Sequence, residues 1–502
     1  MTRQTVDVLF INPGDRRQVY QSLGDELCAI EPPALAGLFA GYLRNKGATV
    51  AILDAPALGL SAAEAVGRAV SDYRPALVVL AVYGYQPSAS TQNMPAAGVI
   101  ARGLKEADPS LKVLMTGTHP AALPERTMRE EAVDFVCDLE GPVTLLKTLN
   151  ALKAGGGFAD VPSLWWRDGA TIKAPTAAEP LITDLDGELP GIAWDLLPMD
   201  RYRAHNWHCF GDVGARKPYA SIHTSLGCPY QCSFCCINAP YGKSSYRMWS
   251  PEAVVTEIAH LVETYGVRNL KFVDEMFVLN ERHVLGICDG LIARGFDLNI
   301  WAYARVDTVK PHMLGRLRQA GVRWLALGIE SGSKHVRDGA AKALRNEDIV
   351  GIVRMIQEAD INVIGNYIFG LPDDDQASMR ATLDLARDLN CEFANFYSAM
   401  AYPGSALHRL AEDRGWALPP TWSAFSQHSH DCLPLPTEHL SAAEVLRFRD
   451  EAFHEYFSHP AYLAMVERRF GPETRAHIAD MTTHRLRRKI VEDAFPNLTD
   501  AA

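Results

Sequence analysis

The chain has 502 residues and a net charge of −11, with 48% hydrophobic and 22% charged residues. This is ordinary globular composition with material for two or three cores, and the acidic balance argues against a nucleic-acid partner. No apolar run reaches the roughly 18 residues of a membrane span, and ten cysteines in a chain this long are not a disulfide scaffold.

The N-terminus, MTRQTVDVLFINPGD, lacks a signal-peptide core and enters a strand at once, which reads as a cytoplasmic protein. Over residues 1–150 short β-branched runs alternate with helical stretches. Strands are expected at 6–11, 49–55, 76–83, 112–117 and 133–137, with helices near 33–46, 62–73 and 94–107. Runs apolar on both faces, separated by helices, predict a parallel sheet with right-handed crossovers, a doubly wound Rossmann-like α/β domain. Such sheets bind ligands beyond their C-terminal strand edges. The edges read Asn12-Pro13-Gly14, Tyr83-Gly84-Tyr85, Thr116-Gly117-Thr118-His119-Pro120 and Glu140-Gly141-Pro142. Glycine there admits a ligand to the backbone, or merely turns the chain. No G-x-G-x-x-G or G-x4-G-K-[ST] follows a strand, so a nicotinamide, flavin or P-loop site is unsupported.

Residues 151–214 read as a linker, with three successive glycines, many prolines and a short hairpin at 163–172. A second alternation fills 215–420. Strands are expected at 219–225, 269–274, 299–305, 324–330, 361–370 and 393–400, with helices such as 251–265 and 344–359. The first of those helices has Ser250 as N-cap, Pro251 at its first position and Gly266 at its end. Six β/α repeats predict a full or partial TIM-like barrel, whose chemistry sits at the C-terminal strand ends.

At that mouth, just after the first strand, stands SLGCPYQCSFCCINAP, with Cys228, Cys232 and Cys235 in a C-x3-C-x2-C pattern and Cys236 adjacent. A structural zinc site wants four ligands, usually as two C-x2-C pairs, and no second pair is present. An iron–sulfur cluster suits thiolates on a short loop. Three thiolates leave one iron of a cubane open to a small molecule's amine and carboxylate, as an open zinc position takes substrate.

Here the sequence resembles the radical S-adenosylmethionine (SAM) superfamily, whose hallmark is C-x3-C-x2-C after the first strand of a partial β/α barrel; Phe234 before the third cysteine also fits. The resemblance implies a [4Fe-4S] cluster on Cys228, Cys232 and Cys235, with SAM chelating the open iron. Reductive cleavage of SAM then yields a 5′-deoxyadenosyl radical. It further implies SAM contacts from Phe234, Asp274 and Glu275 in FVDEMF, Arg305 in YARVD, and Glu330 and Ser331 in GIESGS. Each of these polar groups can instead cap, turn or pair at the barrel rim. IFGLPDDD (368–375) and Pro403-Gly404-Ser405-Ala406-Leu407 resemble later elements of the same enzymes.

The order of the two domains resembles the cobalamin-binding radical SAM enzymes. TGTHPAALPE (116–125) is similar to their G-G-x-H-x-T-x2-P-E, with Thr116 for the first glycine, and VDFVCDLEGPVTL (133–145) to a second motif of theirs. The resemblance implies cobalamin contacts from Asn12, Tyr83, Thr116, Gly117, His119, Glu140 and Gly141. No D-x-H-x2-G follows the first strand, where the chain reads Asn12-Pro13-Gly14-Asp15-Arg16-Arg17, so no histidine is expected beneath the cobalt. His119 is expected at the corrin periphery or nucleotide tail, or in a plain turn.

Residues 421–502 carry helical patterns, notably 441–457, and are expected to form a helical extension over the barrel; HRLRRKI (484–490) is expected to be a solvated helix face. The resemblance implies a cobalamin-dependent methyltransferase that moves a methyl group from methylcobalamin to a carbon of a small molecule, as in antibiotic biosynthesis, fed by a flavodoxin- or ferredoxin-like donor. A non-methylating relative, such as a tetrapyrrole-ring cyclase, is the alternative. An RNA methylthiotransferase would need three more cluster cysteines in the N-terminal domain, where only Cys28 and Cys137 stand. A non-catalytic sensor would not need the SAM-site strand ends.

The pattern assigns three thiols to the cluster and leaves Cys236 as a packed thiol. Changing Cys228, Cys232 or Cys235 to Ala should abolish iron binding in anaerobic reconstitution, and changing Cys236 to Ala should leave it intact. Iron retained in any of the first three, or lost in the last, would overturn the division.

Overall fold

A computed structural model describes residues 3–14, 19, 21, 27–84, 86, 88–342, 344 and 348–496. Asp15, Arg16, Arg17, Tyr85 and residues 345–347 of the stretch expected at 344–359 lie outside the described residues.

The first sheet holds β1 (Gln4–Asn12), β2 (Val50–Asp54), β3 (Tyr73–Val82), β4 (Val113–Gly117), β5 (Phe135–Cys137), β6 (Leu164–Asp168) and β7 (Thr171–Lys173), in the order β2-β1-β3-β4-β5-β6-β7. Strands β1 to β5 pair in parallel. Alternate residues of β1 enter different cores: Val8 and Phe10 join Phe39 of the Ala34–Asn45 helix, and Leu9 and Ile11 join Ala65 and Ile100 of the helices opposite. Burial on both faces explains the continuous apolar run, as a doubly wound sheet requires. The strand order reverses between β1 and β3, which opens a crevice at Asn12 and Tyr83. The linker is less of a linker than its composition implies: its hairpin adds β6 and β7 as an antiparallel edge of this sheet.

The second unit holds β8 (Tyr219–Ile222), a small antiparallel pair β9 (Ser225–Leu226) and β10 (Arg247–Met248), then β11 (Asn269–Phe272), β12 (Asn299–Arg305), β13 (Val322–Glu330), β14 (Asn362–Phe369) and β15 (Phe393–Ser398). Its six-stranded parallel sheet runs β8-β11-β12-β13-β14-β15 and does not close, so it is a partial barrel. Trp207, from the linker, packs against Trp301, Trp324 and Phe393 with ring centroids 5.1, 5.6 and 5.7 Å away, filling one end with rings.

The helix Ala442–Phe457 covers the β15 side. Arg449 Nε donates to the Phe396 carbonyl at 2.7 Å, and Tyr456 to that of Cys391 at 2.7 Å. The basic run is not a solvated helix face: 484–488 is irregular, the helix begins at Lys489, and buried Arg488 pairs with Asp450 at 2.8 Å. No helix among the described residues is long and apolar enough to cross a membrane.

The two units are joined by buried polar contacts. Lys271 of β11 meets Glu31 of the first unit at 3.0 Å, and both are almost fully buried. Arg247 pairs with Glu140 at 2.7 Å, and Tyr202 of the linker donates to Asp54 of the first unit at 2.8 Å. Removing one member of a buried pair strands the other, at a cost of about 3–5 kcal/mol, whereas replacing both by apolar groups costs far less. Lys271→Met should therefore lower the midpoint of urea unfolding markedly, and Glu31→Leu/Lys271→Met should restore much of it. An unchanged midpoint in the single variant would contradict this.

Candidate active site

The cysteine loop is rooted in β8 and β11. Asp274, two residues after β11 and buried, accepts from the Thr224 amide at 2.6 Å, the Thr224 hydroxyl at 2.6 Å and the Ser225 hydroxyl at 2.5 Å. Gly227 then turns the chain with φ of +83°, and a Cβ there would lie 2.5 Å from the Ser245 carbonyl oxygen. The loop is also tied to neighbouring helices: the Ser233 amide donates to the Ala340 carbonyl at 3.0 Å and its carbonyl accepts from the Leu407 amide at 2.8 Å. Two cations stack on loop rings, Arg305 over Tyr230 at 4.1 Å and Lys342 over Phe234 at 5.9 Å.

Cys228, Cys232, Cys235 and Cys236 all touch one cavity of about 230 Å³, with Phe234, Glu275, Arg305, Glu330 and Lys342 in its wall. Among the described residues no three His, Cys, Asp or Glu side chains are placed to hold a single metal ion. A cluster spreads its ligands over separate irons, and thiolates on one short loop beside an open cavity fit that donor set. Burial pushes the Cys228 thiol up to about 11 and raises Cys235 well above its usual range, with Glu275 adding to both. Iron must therefore displace their protons. Cys236 is buried and pushed up to about 12, with its Cβ 3.8 Å from where a Cβ on Gly404 would sit.

The expected SAM residues divide. Phe234, Glu275, Arg305 and Glu330 line the cavity. Burial raises Glu275 to about 7, with Asp274 adding and Lys271 and Lys342 opposing. Arg305 is braced by Asp307 at 3.0 Å. Glu330 has a left-handed φ of +64°, costly for a side-chain-bearing residue, and its carboxylate meets Lys342 at 2.8 Å. Asp274 does not reach this cavity, because its oxygens are taken by Thr224 and Ser225. Ser331 lies outside it too: its hydroxyl meets Thr382 at 3.1 Å and accepts from the Ser333 amide at 3.1 Å. The sequence reading missed Lys342. Burial opposes its charge, but Glu330 and Cys232 hold the ammonium above its usual range. It stands in GAAKALRN, which carries no motif.

A narrow cleft lies between the strand ends of the two sheets. Asn12, Tyr83, Gly84 and Thr118 line one wall, and Ser221, His223, Ser225, Gly227, Asp274 and Glu275 the other. Small residues stand on both walls, and the cleft holds about 60 Å³. Of the expected cobalamin residues, Asn12 and Tyr83 face the cleft. Asn12 is held by Asp54 at 2.9 Å, and the Tyr83 hydroxyl rests on Thr116 at 3.2 Å and the Glu140 carbonyl at 3.4 Å. Thr116, Gly117, His119, Glu140 and Gly141 lie off the cleft. Glu140 is spent on the Ile182 amide at 3.0 Å and Arg247. His119 bonds Thr91 at 3.1 Å and sits edge-on to Trp422 at 4.4 Å, and burial, with Arg126 and His408, lowers it to about 3.

Two family models match the chain: the radical SAM superfamily over residues 222–386 and the B12 binding domain over residues 29–148. The chain belongs to the cobalamin-binding radical SAM enzymes. Its cofactors are a [4Fe-4S] cluster, SAM and cobalamin. It is 26% identical to an uncharacterized methyltransferase of Pyrococcus horikoshii, over 86% of this chain and 89% of that one. It is 27% identical to the anaerobic magnesium-protoporphyrin IX monomethyl ester cyclase of Rubrivivax gelatinosus, over 81% and 70%. The fold is shared with the cobalamin-dependent SAM radical enzyme OxsB, solved with aqua-cobalamin and SAM bound. The TM-score is 0.69 at 16% identity, covering 96% of this chain and 71% of that one.

Proposed function

We propose that this member of the cobalamin radical SAM methyltransferase family methylates a carbon of a small-molecule, secondary-metabolite intermediate. One observation carries the reading: three cavities converge. The cluster cavity, the cleft and a chamber of about 1010 Å³ inside the barrel all touch Gln86. Glu275 lines both cleft and cluster cavity, while Tyr303, Asn366 and Tyr397 line both cluster cavity and chamber. Bound, the cofactors supply one-electron cleavage of SAM and a transferable methyl group.

The chain's own residues position and shield. Cys228, Cys232 and Cys235 hold the cluster. Glu275 receives SAM's ammonium, and Lys342, Arg305 and Glu330 its carboxylate and ribose, by charge-assisted hydrogen bonds. The chamber takes the substrate: Asn395 donates to Asn366 at 2.9 Å, and the Tyr303 and Tyr397 rings stand beside this pair. The tail, from Arg447 to Pro496, closes the far wall and excludes water. Free cysteines throughout fit a reducing cytoplasm, where a flavodoxin- or ferredoxin-like donor supplies the electron. Residues 1–150 and 215–420 carry the cofactors in this reading, 151–214 joins them, and 421–502 closes the chamber.

The similarity to the cyclase over most of both chains favours a second reading, oxidative ring closure without methyl transfer. Holoenzyme given a reductant and SAM with a trideuterated methyl group separates them. 5′-Deoxyadenosine with a product 17 mass units heavier than its precursor, one hydrogen replaced by CD3, is expected. 5′-Deoxyadenosine with an unlabelled product supports the cyclase, and none at all sinks both.

A further inference from the structure

The helix Ala442–Phe457 turns a polar stripe toward the barrel chamber. Arg447, Asp450, Glu451 and His454 follow the helical repeat and all line it, while Val445, Phe448, Ala452 and Tyr456 bury the apolar face of the same helix. Most charges of the chamber wall are already paired. Arg449 and Arg488 are spent on Asp450 at 2.6 and 2.8 Å, Arg487 on Glu492 at 2.9 Å and Lys271 on Glu31 at 3.0 Å.

Two guanidinium groups of the wall are left over. Arg447 lies 3.6 Å from Glu451, beyond hydrogen-bond reach, and its buried Nε has no hydrogen-bond partner. The Phe495 ring, 4.4 Å from the guanidinium, holds it beside the chamber. Arg485 makes no ion pair or hydrogen bond among the described residues. Burial and then Arg485 lower His454, so the Arg485 charge stands near the same helix stripe. Asp493 also lines the chamber, but it is exposed and pairs with neither arginine.

The far end offers neutral hydrogen bonding instead. Asn395 donates to Asn366 at 2.9 Å and Asn366 to the Leu327 carbonyl at 3.2 Å, and nothing among the described residues donates to the Asn395 carbonyl oxygen. Between the two ends Trp301, Tyr303, Phe393 and Phe396 present rings, which favour a flat-faced body. The volume of about 1010 Å³ stands at the top of the range for small-molecule sites, roughly 300–1,000 Å³.

We propose that the substrate is a ring-bearing organic anion, its carboxylate or phosphoryl group on Arg447 and Arg485 and its reacting end at Asn366 and Tyr397, where the chamber meets the cluster cavity. This rests on the chamber being the substrate site. A guanidinium presents parallel N–H donors that match either head group, and it stays charged at any working pH. A neutral occupant would leave the Arg447 Nε without a partner, a cost that an anion removes.

Equilibrium dialysis of the full-length, cofactor-loaded protein tests this without turnover. The probes share one ring system: 2-naphthoate carries a carboxylate, 2-naphthyl phosphate a phosphoryl group, and 2-naphthamide no charge. At least one anion should bind about tenfold tighter than the amide, as one charge-assisted hydrogen bond provides, and the tighter anion names the head group. Raising the ionic strength should weaken anion binding and leave the amide unchanged. Arg447→Met/Arg485→Met should erase the preference while 2-naphthamide binds as before, and Arg447→Lys/Arg485→Lys, which keeps both charges, should retain most of it. The proposal fails if the amide binds as tightly as both anions, or if the preference survives in the Met variant. The comparison in the unaltered protein needs no variant, so a misfolded one does not remove the test. Amide binding without an anion preference would reject the anionic substrate alone, whereas no binding of any probe would reject the chamber as the substrate site.

Discussion

The carboxylate of Asp274, buried and accepting three hydrogen bonds from Thr224 and Ser225, ties β11 to the root of the cysteine loop. The arrangement of the cofactor end depends on this tie. With β8 and β11 locked there, the loop leaves the barrel at Gly227 and lays its thiols against a cavity rather than solvent. The same two strand ends carry His223 and Glu275 into the cleft. One satisfied buried carboxylate thereby sets the cysteine loop, its cavity and one wall of the cleft relative to each other. Burial lifts Asp274 to about 6, opposed by its Ser225 and Thr224 donors, so those hydrogen bonds are what keep it ionised near neutral pH.

Electrostatics around the thiols follow from the same enclosure. Burial raises Cys228, Cys235 and Glu275, so the cavity disfavours negative charge on these three groups. Lys342 and Arg305 counter this. Each is stacked on a ring of the cysteine loop and braced by an acid, Glu330 or Asp307. Cation–π contact and ion pair together hold the cations beside the thiols instead of letting them turn to solvent.

Much of the fold was legible in the sequence because period and punctuation agreed. The continuous apolar runs of β1 and β3 belong to strands buried on both faces, and Ser250-Pro251 and Gly266 bound a helix at Pro251–Tyr265. The hairpin at Leu164–Lys173 looked like linker because its strands are short and half-exposed, yet it extends the sheet. The cysteine triad carries its own spacing and so could be read directly. Residues defined only by three-dimensional convergence could not. Lys342, Glu31, Lys271 and His223 sit in unremarkable local sequence, and distance alone brings them to the cavities. Asp274 and Ser331 show the converse: polar residues at a strand end invite a ligand role, while their hydrogen bonds are already spent inside the fold.

The central claim is that three thiols on this loop hold a cluster one protein ligand short, with SAM completing it. The direct measurement is electron paramagnetic resonance of the reduced, cluster-reconstituted protein, prepared without cobalamin and recorded with and without SAM. The account predicts a cluster signal whose g values shift when SAM is added. A cluster signal indifferent to saturating SAM would contradict it.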